Sequence, residues 1–561
     1  MTLSKDQRLR WLIKRGHFPA ELPPPFHTDD LARCRNSVLR DWKDLPGYRH
    51  SQLEFFTVPK LRAHRRALAV VNPVTQTRLA KLIADEWVAI RSFLRQSNIA
   101  LEPVDIVEKS SRAIPIPNFN LIELKQHDIL AQYDFITSAD TSRFYSTIYT
   151  HSIPWALHGK AWCKDHLSRK KKAIYDATLG ARLDTAVRYC QENQSIGIPV
   201  GPDTSRIVSE ILAVAIDGPV VKTSGLTPTQ AFRNVDDWFV GLDSSDAGDT
   251  LIASIATELT KYGLEIHPHK SQVLKSLHSP PDLWPAELRC FSVDANSKNE
   301  RSDLILFIEK AFAYSKDAQD ENVLNFAVKV SSSFNVSDEN WPIYESFLLR
   351  CARYNASTLP VIAKILKHYS EKGYALGVDR ISKLCSDLVV RNAPFGHHFE
   401  VAWALFLLRT LSIQLAPAAA RVLSKMESSV CALMALDCRE MGLISTGLNT
   451  AGWRRALNPE GLWSGQWLLA YEADLKGWLT PVAGPFVELD AFFAPLKAKS
   501  ISFYDKRRSV RLVQTRKWAS KNQGVDEFLH HLESSALQER YSAFPSLFDD
   551  SDWSSGPYSD F

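Results

Sequence analysis

The chain has 561 residues, more than one domain usually holds, so two to four domains are expected. Its 45% hydrophobic and 23% charged residues exclude a chain that is disordered throughout and allow a large core. With 67 basic against 63 acidic residues the net charge is +4, which neither requires nor excludes a nucleic-acid partner, because phosphate recognition depends on a local basic track.

Residues 1–50 are polar and interrupted by Pro19 and Pro23-Pro24-Pro25, and they read as a leader. Residues 52–71 alternate apolar and basic character and predict two strands joined by the basic stretch Lys60 to Arg66. Asn72-Pro73 breaks the chain, and apolar residues from Leu79 to Phe93 then recur at helical spacing, predicting one helix over 74–95. Tyr133 to Ala139 predicts a buried strand, Leu167 to Gln191 a charged helix, and Ser205 to Ala215 an apolar helix. Phe232 to Val240 predicts a hairpin around Asp236-Asp237, followed by a helix from Leu251 to Tyr262. After Pro280-Pro281 helix follows helix, among them 304–313, 343–354, 359–369, 400–411 and 430–438, with no fixed repeat period. Residues 541–561 are rich in Ser and Asp and predict a disordered tail.

The eight cysteines form no CxxC pair and no zinc spacing, which predicts buried free thiols in a reducing compartment. The first residues lack an apolar signal core, and no apolar run approaches the ~18–20 residues that span a bilayer. A soluble cytoplasmic protein with no membrane partner is expected.

An Asp-Asp pair is usually a solvated turn, and this chain has three: Asp29-Asp30, Asp236-Asp237 and Asp549-Asp550. Only the middle pair lies between two apolar arms, where two charges beside a buried sheet call for a cation. A strand ending at Asp140 could bring a third carboxylate to the same place. Nucleotidyl transfer uses such a set to hold two divalent ions about 3.5–4 Å apart. Magnesium fits, since it takes oxygen ligands and keeps several waters. Gln194 to Pro202 forms a Gly/Pro turn before an apolar helix, which lets backbone approach a nucleotide.

The order Asp140-Thr-Ser-Arg-Phe-Tyr145, Gly197-Ile-Pro-Val-Gly201, Asn234-Val-Asp-Asp237, Lys270 resembles the palm of reverse transcriptases. Ser142 to Trp155 and Gly197 to Ser205 resemble more narrowly the bacterial defence-associated reverse transcriptases, the abortive-infection and unknown-group enzymes. The resemblance covers about 140 residues in the palm. It continues more softly into Glu400 to Ala404 and Trp467 to Glu472.

The resemblance implies an α+β right-hand polymerase, with fingers and palm of reverse-transcriptase type, followed by an all-α helical-repeat domain. The expected division is 1–130 for leader and fingers, 131–280 for the palm, 281–540 for the helical domain and 541–561 for the tail. Asp140, Asp236 and Asp237 would be the catalytic, metal-binding carboxylates, with the Thr141 backbone as an extra ligand for two Mg2+ ions or Mn2+ in their place. Lys60 and Arg66 would grip the triphosphate, with Arg65 as the alternative to Arg66. Tyr145 would exclude a ribose 2′-hydroxyl, Pro199 and Gly201 would line the nucleotide, and Lys270 would neutralise or protonate pyrophosphate. The competing readings are a core aromatic for Tyr145, a solvated basic turn for Lys60 and Arg66, and a surface lysine for Lys270. The run Arg169 to Lys172 is a candidate nucleic-acid track or a solvated face.

Two positions depart from the family. Asn234 stands where an aromatic is usual, and Val200 where Gln often touches the template. Both are compatible with short or untemplated DNA synthesis. The implied partners are dNTPs, an RNA template or single-stranded DNA product, a non-coding RNA and further copies of the chain. Tyr504 is a candidate protein primer, whereas Glu400, Trp403, Trp467 and Glu472 read as packing residues. The alternatives are a retron-like reverse transcriptase and a non-catalytic RNA-binding scaffold.

Overall fold

The structure is a computed structural model describing residues 3–45, 49–60, 64–115, 119–278, 283–317, 322–481 and 484–512. The expected tail at 541–561, the Pro280-Pro281 break and the end of the helical region beyond 512 lie outside the described residues.

Two sheets and many helices make up the described residues. The strands β1 (Glu54–Pro59) and β2 (Arg65–Val70) form an antiparallel hairpin. The strands β3 (Phe135–Asp140), β4 (Ala231–Asn234), β5 (Asp237–Leu242) and β6 (Gln272–Lys275) form an antiparallel sheet in the order β4-β5-β3-β6. The β3 strand and the β4–β5 hairpin fall where the apolar runs place them. β6 is too short and too polar to have been predicted.

The helix Asp203–Ser224 is buried along most of its length. Ser245–Lys261 lies on the sheet, and Gly248 allows the close approach: a Cβ there would stand 2.5 Å from Val273 and 2.7 Å from Thr137. The edge strand β4 is covered by the segment 97–101, which exchanges hydrogen bonds with Arg233.

Three expectations change. The predicted helix over 74–95 is two, Pro73–Asp85 and Trp87–Leu94, and the break at Glu86 turns Trp87 and Ile90 into the core. Asn72-Pro73 starts the first of them: the Asn72 side chain accepts from the Val74 N–H at 3.0 Å, and Pro73 takes the first turn, where no donor is needed. The predicted helix over 167–191 is likewise split, into Lys172–Asp176 and Leu179–Tyr189, the second capped by Thr178.

The third change is the leader, which is folded and central. Its helices Lys5–Gly16 and Asp29–Asp41 bury Leu12, Ile13 and Leu31 completely. The amphipathic spacing was present, but the prolines between the helices masked it. Phe26 pairs with Tyr504 in an isolated bridge, the His27 N–H donates to Phe503 O at 3.0 Å, and the Trp42 indole donates to Phe492 O at 2.9 Å. The two ends of the described chain therefore close on each other.

From Glu300 onward the described residues are helical and cover all five predicted helices, now Glu300–Asp317, Trp341–Tyr354, Leu359–Glu371, His398–Leu411 and Ser429–Glu440. This region grips the β1–β2 hairpin. Arg65 donates to both Glu400 oxygens at 2.7 Å, Thr57 Oγ1 donates to Gly396 O at 2.6 Å, and the Trp467 indole donates to Val70 O at 2.9 Å. One apolar core runs through all of these parts, from Leu9 to Val510. Six of the eight cysteines are buried; Cys34 is half-buried and Cys290 exposed. Among the described residues no helix is long and apolar enough to cross a membrane.

Candidate active site

The site lies at one end of the four-stranded sheet. Asp140 closes β3, Asp237 opens β5, and the two are register partners. Asp236 belongs to the two-residue turn between β4 and β5, where Asn234 pairs with Asp237. Three carboxylates from two distant parts of the chain, Asp140 and the adjacent Asp236 and Asp237, thus meet at one strand end.

The turn is strained. Val235 has φ +57°, a region that a β-branched residue rarely enters and that two-residue hairpins normally fill with Gly or Asn. A buried lock holds it. The Arg233 guanidinium, 1% exposed, donates to the Val235 carbonyl at 2.5 Å, to Asp217 at 2.9 Å and to Glu210 at 2.7 Å. Asp217 also accepts from the Trp238 indole at 3.2 Å and from Ser97 Oγ at 2.6 Å. Burial disfavours the Arg233 charge, but Asp217 and Glu210 outweigh it and raise its pKa above the ordinary value. Sequence reading missed this network. Its signal was two acids, Glu210 and Asp217, inside an otherwise apolar helix.

The carboxylates repel one another. Burial, then Asp140, raises the Asp236 pKa to about 7. Burial, Asp140 and Asp236 raise Asp237 well above the carboxylate range, and a hydrogen bond to Asp140 keeps the proton on it. Lys270 is the nearest counterion, with Nζ 3.2 Å from Asp140 Oδ2. Among the described residues no three His, Cys, Asp or Glu side chains already converge as a ligand cage. The donor set still fits a hard divalent ion: it is all carboxylate oxygen, and a cation would replace the shared proton and relieve the repulsion.

The remaining sequence-predicted residues are distributed as follows. The bonds from the Ser142 N–H to Glu265 O and from the His267 N–H to Asp140 O, both 2.8 Å, flank Thr141 and fix the end of β3. Tyr145 is half-buried; its hydroxyl accepts from Ser209 Oγ at 3.2 Å, burial raises its pKa, and Asp236 adds to the rise. The Ile198 N–H donates to Tyr145 O at 2.9 Å, which seats the Gly197–Gly201 turn against the tyrosine. Gly197 and Gly201 both have positive φ, +77° and +118°. Pro199 is buried in this turn, the Val200 carbonyl accepts from the Ala69 N–H on β2 at 2.7 Å, and the Gly201 carbonyl accepts from Arg112 at 2.7 Å.

Arg66 is exposed on β2, and its charge is among those that lower the Asp236 pKa. Arg65 is paired with Glu400 at 2.7 Å. The Lys60 N–H donates to His64 O at 2.9 Å at the loop end of the hairpin. Arg169 to Lys172 are exposed, and Lys171 and Lys172 pair with Asp165 and Asp176 at 2.5 and 2.8 Å. Glu400, Trp403, Trp467 and Glu472 are all engaged in packing and hydrogen bonds, as expected.

Tyr504 cannot act as an accessible primer in this fold. It is completely buried, and its hydroxyl donates to Asp437 Oδ2 at 2.6 Å.

The chain matches no protein-family model and no curated protein. Among solved structures it is similar to apo telomerase from Candida tropicalis, at 13% identity over 61% of this chain and 69% of that one, with a TM-score of 0.29. It is also similar to telomerase from Candida albicans in complex with a TWJ fragment of telomeric RNA, at 10% identity over 60% of this chain and 66% of that one, with a TM-score of 0.26.

Proposed function

We propose that the chain is a DNA polymerase of reverse-transcriptase type that adds deoxynucleotides by two-metal nucleotidyl transfer. The observation that carries this reading is the pairing of Asp140 with Asp237, with Asp236 and Lys270 at the same strand end. Asp140, Asp236, Asp237 and the Thr141 backbone would hold two Mg2+ ions, or Mn2+ in their place. Bound there, the ions would activate the primer 3′-oxygen and stabilise the leaving pyrophosphate.

The chain's own groups do the rest. Arg66 and Lys60 take the triphosphate, since charge-assisted bonds to phosphate are the strong ones. Tyr145 lies under the sugar and leaves no room for a 2′-hydroxyl. Pro199 and Gly201 shape the floor beside it. Lys270 supplies positive charge or a proton to pyrophosphate as it leaves. The product is single-stranded DNA or cDNA, made without template or on a partner non-coding RNA. The cellular role is anti-phage defence in the cytoplasm, by a homo-oligomer whose helical region braces the fingers hairpin.

The test is incubation of purified protein with each dNTP and Mg2+, with and without RNA that co-purifies from cells, beside Asp236→Ala/Asp237→Ala. Products are resolved on a denaturing gel before and after proteinase. DNA made by wild type and lost in the variant supports the polymerase. Absence of product under every condition would leave a non-catalytic scaffold.

A further inference from the structure

A cavity of about 770 Å³ opens between the helices Lys5–Gly16 and Asp29–Asp41 and the segment 502–508. It contains none of the residues assigned to the carboxylate site. Eight lysine and arginine side chains line it, against three carboxylates, Asp29, Asp30 and Asp505.

Each of those carboxylates already has a guanidinium: Arg508 for Asp29, Arg33 for Asp30 at 2.6 Å, and Arg507 for Asp505 at 3.0 Å. Arg35, Lys476 and Lys506 pair outward with Asp6, Glu472 and Glu440. Arg10 and Lys14, one helical turn apart, make no ion pair within 4.0 Å among the described residues; Arg10 acts on Asp6 and Lys14 on Asp29 only at longer range. Lys14 also lies over the Trp11 ring, 5.6 Å from its centre.

A second observation is independent of charge counting. His27 lines the same cavity and is 7% exposed. Its Nδ1 accepts the Asp29 N–H at 3.2 Å, which puts the single proton of the neutral ring on Nε2. That buried Nε2–H has no hydrogen-bond partner among the described residues. Burial, reinforced by Arg508, pushes its pKa down to about 4, so the ring stays neutral. A buried donor left unmet is destabilising, so a ligand that accepts from it is favoured.

A ligand rich in anionic oxygens would satisfy both the surplus cations and the His27 donor. Arginine forks favour phosphate, and the volume suits one nucleotide rather than a duplex. We propose that this cavity binds the phosphate groups of a nucleotide, either free or at the end of a nucleic-acid strand. The proposal does not depend on the reaction assigned to the carboxylates.

The test is fluorescence anisotropy of full-length protein in buffer with EDTA, where metal-dependent binding at the carboxylates is suppressed. The probes are a labelled deoxynucleoside triphosphate and a labelled short single strand carrying a 5′-phosphate. Wild type is compared with Arg10→Glu/Lys14→Glu, both on the outer helix face, and with Asp236→Ala/Asp237→Ala. Binding is expected to weaken about tenfold or more in the first variant, because like charge then faces the phosphate, and to persist in the second. Binding of the triphosphate assigns a free-nucleotide site, and binding of the strand alone assigns a strand end. Wild-type affinity in Arg10→Glu/Lys14→Glu, loss confined to Asp236→Ala/Asp237→Ala, or no binding of either probe by wild type would overturn the proposal.

Discussion

Asp140 and Asp237 face each other across β3 and β5, and burial together with the Asp140 charge holds the Asp237 carboxyl well above the usual carboxylate range. Evolved packing alone would not place two acids there, with a third at Asp236, because each raises the cost of ionising the others. Asp237→Asn should therefore raise the melting temperature of metal-free protein while abolishing DNA synthesis. Mg2+ should raise the melting temperature of wild type and leave that of Asp237→Asn unchanged. Differential scanning fluorimetry with EDTA and with Mg2+ reads both effects, and a variant that melts below wild type in EDTA would refute the repulsion argument.

The turn beside that pair depends on Arg233. Arg233→Lys keeps the buried charge against Asp217 and Glu210 but loses the fork that reaches the Val235 carbonyl. We expect a folded protein whose turnover at saturating dNTP falls about 10²-fold, the usual effect of ~1 Å misplacement, with little change in the KM for dNTP. Arg233→Met leaves two buried acids unpaired and should cost about 3–5 kcal/mol in a urea titration. An equal loss of turnover in a variant of exposed Arg182 would argue against a specific lock.

Tyr145 sits between the carboxylates and the Gly197–Gly201 turn. Replacing it with Ala should open space for a ribose. Incorporation of ribonucleotides relative to deoxynucleotides should rise about 10–200-fold, the range that one small group in a pocket supplies. Single-nucleotide incorporation with matched dNTP and rNTP measures the ratio, and an unchanged ratio would move the sugar discrimination elsewhere.

Glu54 is buried on β1, where its Oε1 accepts from the Ser429 N–H at 2.8 Å. Burial raises its pKa to about 8, and the contacts to Ser429 and Val430 only partly oppose this. A raised folded-state pKa contributes stability that is full below the unfolded value near 4.5 and is lost as pH rises through about 8. Glu54→Gln should therefore have a higher urea midpoint than wild type at pH 9 and a nearly equal one at pH 4.5. The difference is at most about 5 kcal/mol. Parallel pH profiles of the two proteins would show that the carboxyl titrates normally.

Tyr504→Phe removes a hydroxyl that donates to buried Asp437. The cost should be about 1–3 kcal/mol of stability. Any covalent DNA–protein product should form in the variant as in wild type. Loss of that adduct, with DNA synthesis retained, would restore Tyr504 as the primer.

By itself the sequence determined the parts that depend on local pattern. The apolar arms on either side of Asp236-Asp237 pointed to the hairpin, the run ending at Asp140 to its neighbour, and helical spacing to the region beyond Glu300. Those elements carry all three carboxylates, so the candidate site was legible early. What the sequence could not determine were choices among identical residue types, which only long-range contacts resolve. Arg65 and Arg66 are neighbours of equal charge, yet one is held by Glu400 from 335 positions away, while the charge of the other acts on Asp236. Arg233 became a buried lock because Glu210 and Asp217 on a distant helix compensate its desolvation. The helices Lys5–Gly16 and Asp29–Asp41 became a wall shared with the 502–508 segment, since amphipathic helices are stable only against the surface that covers them.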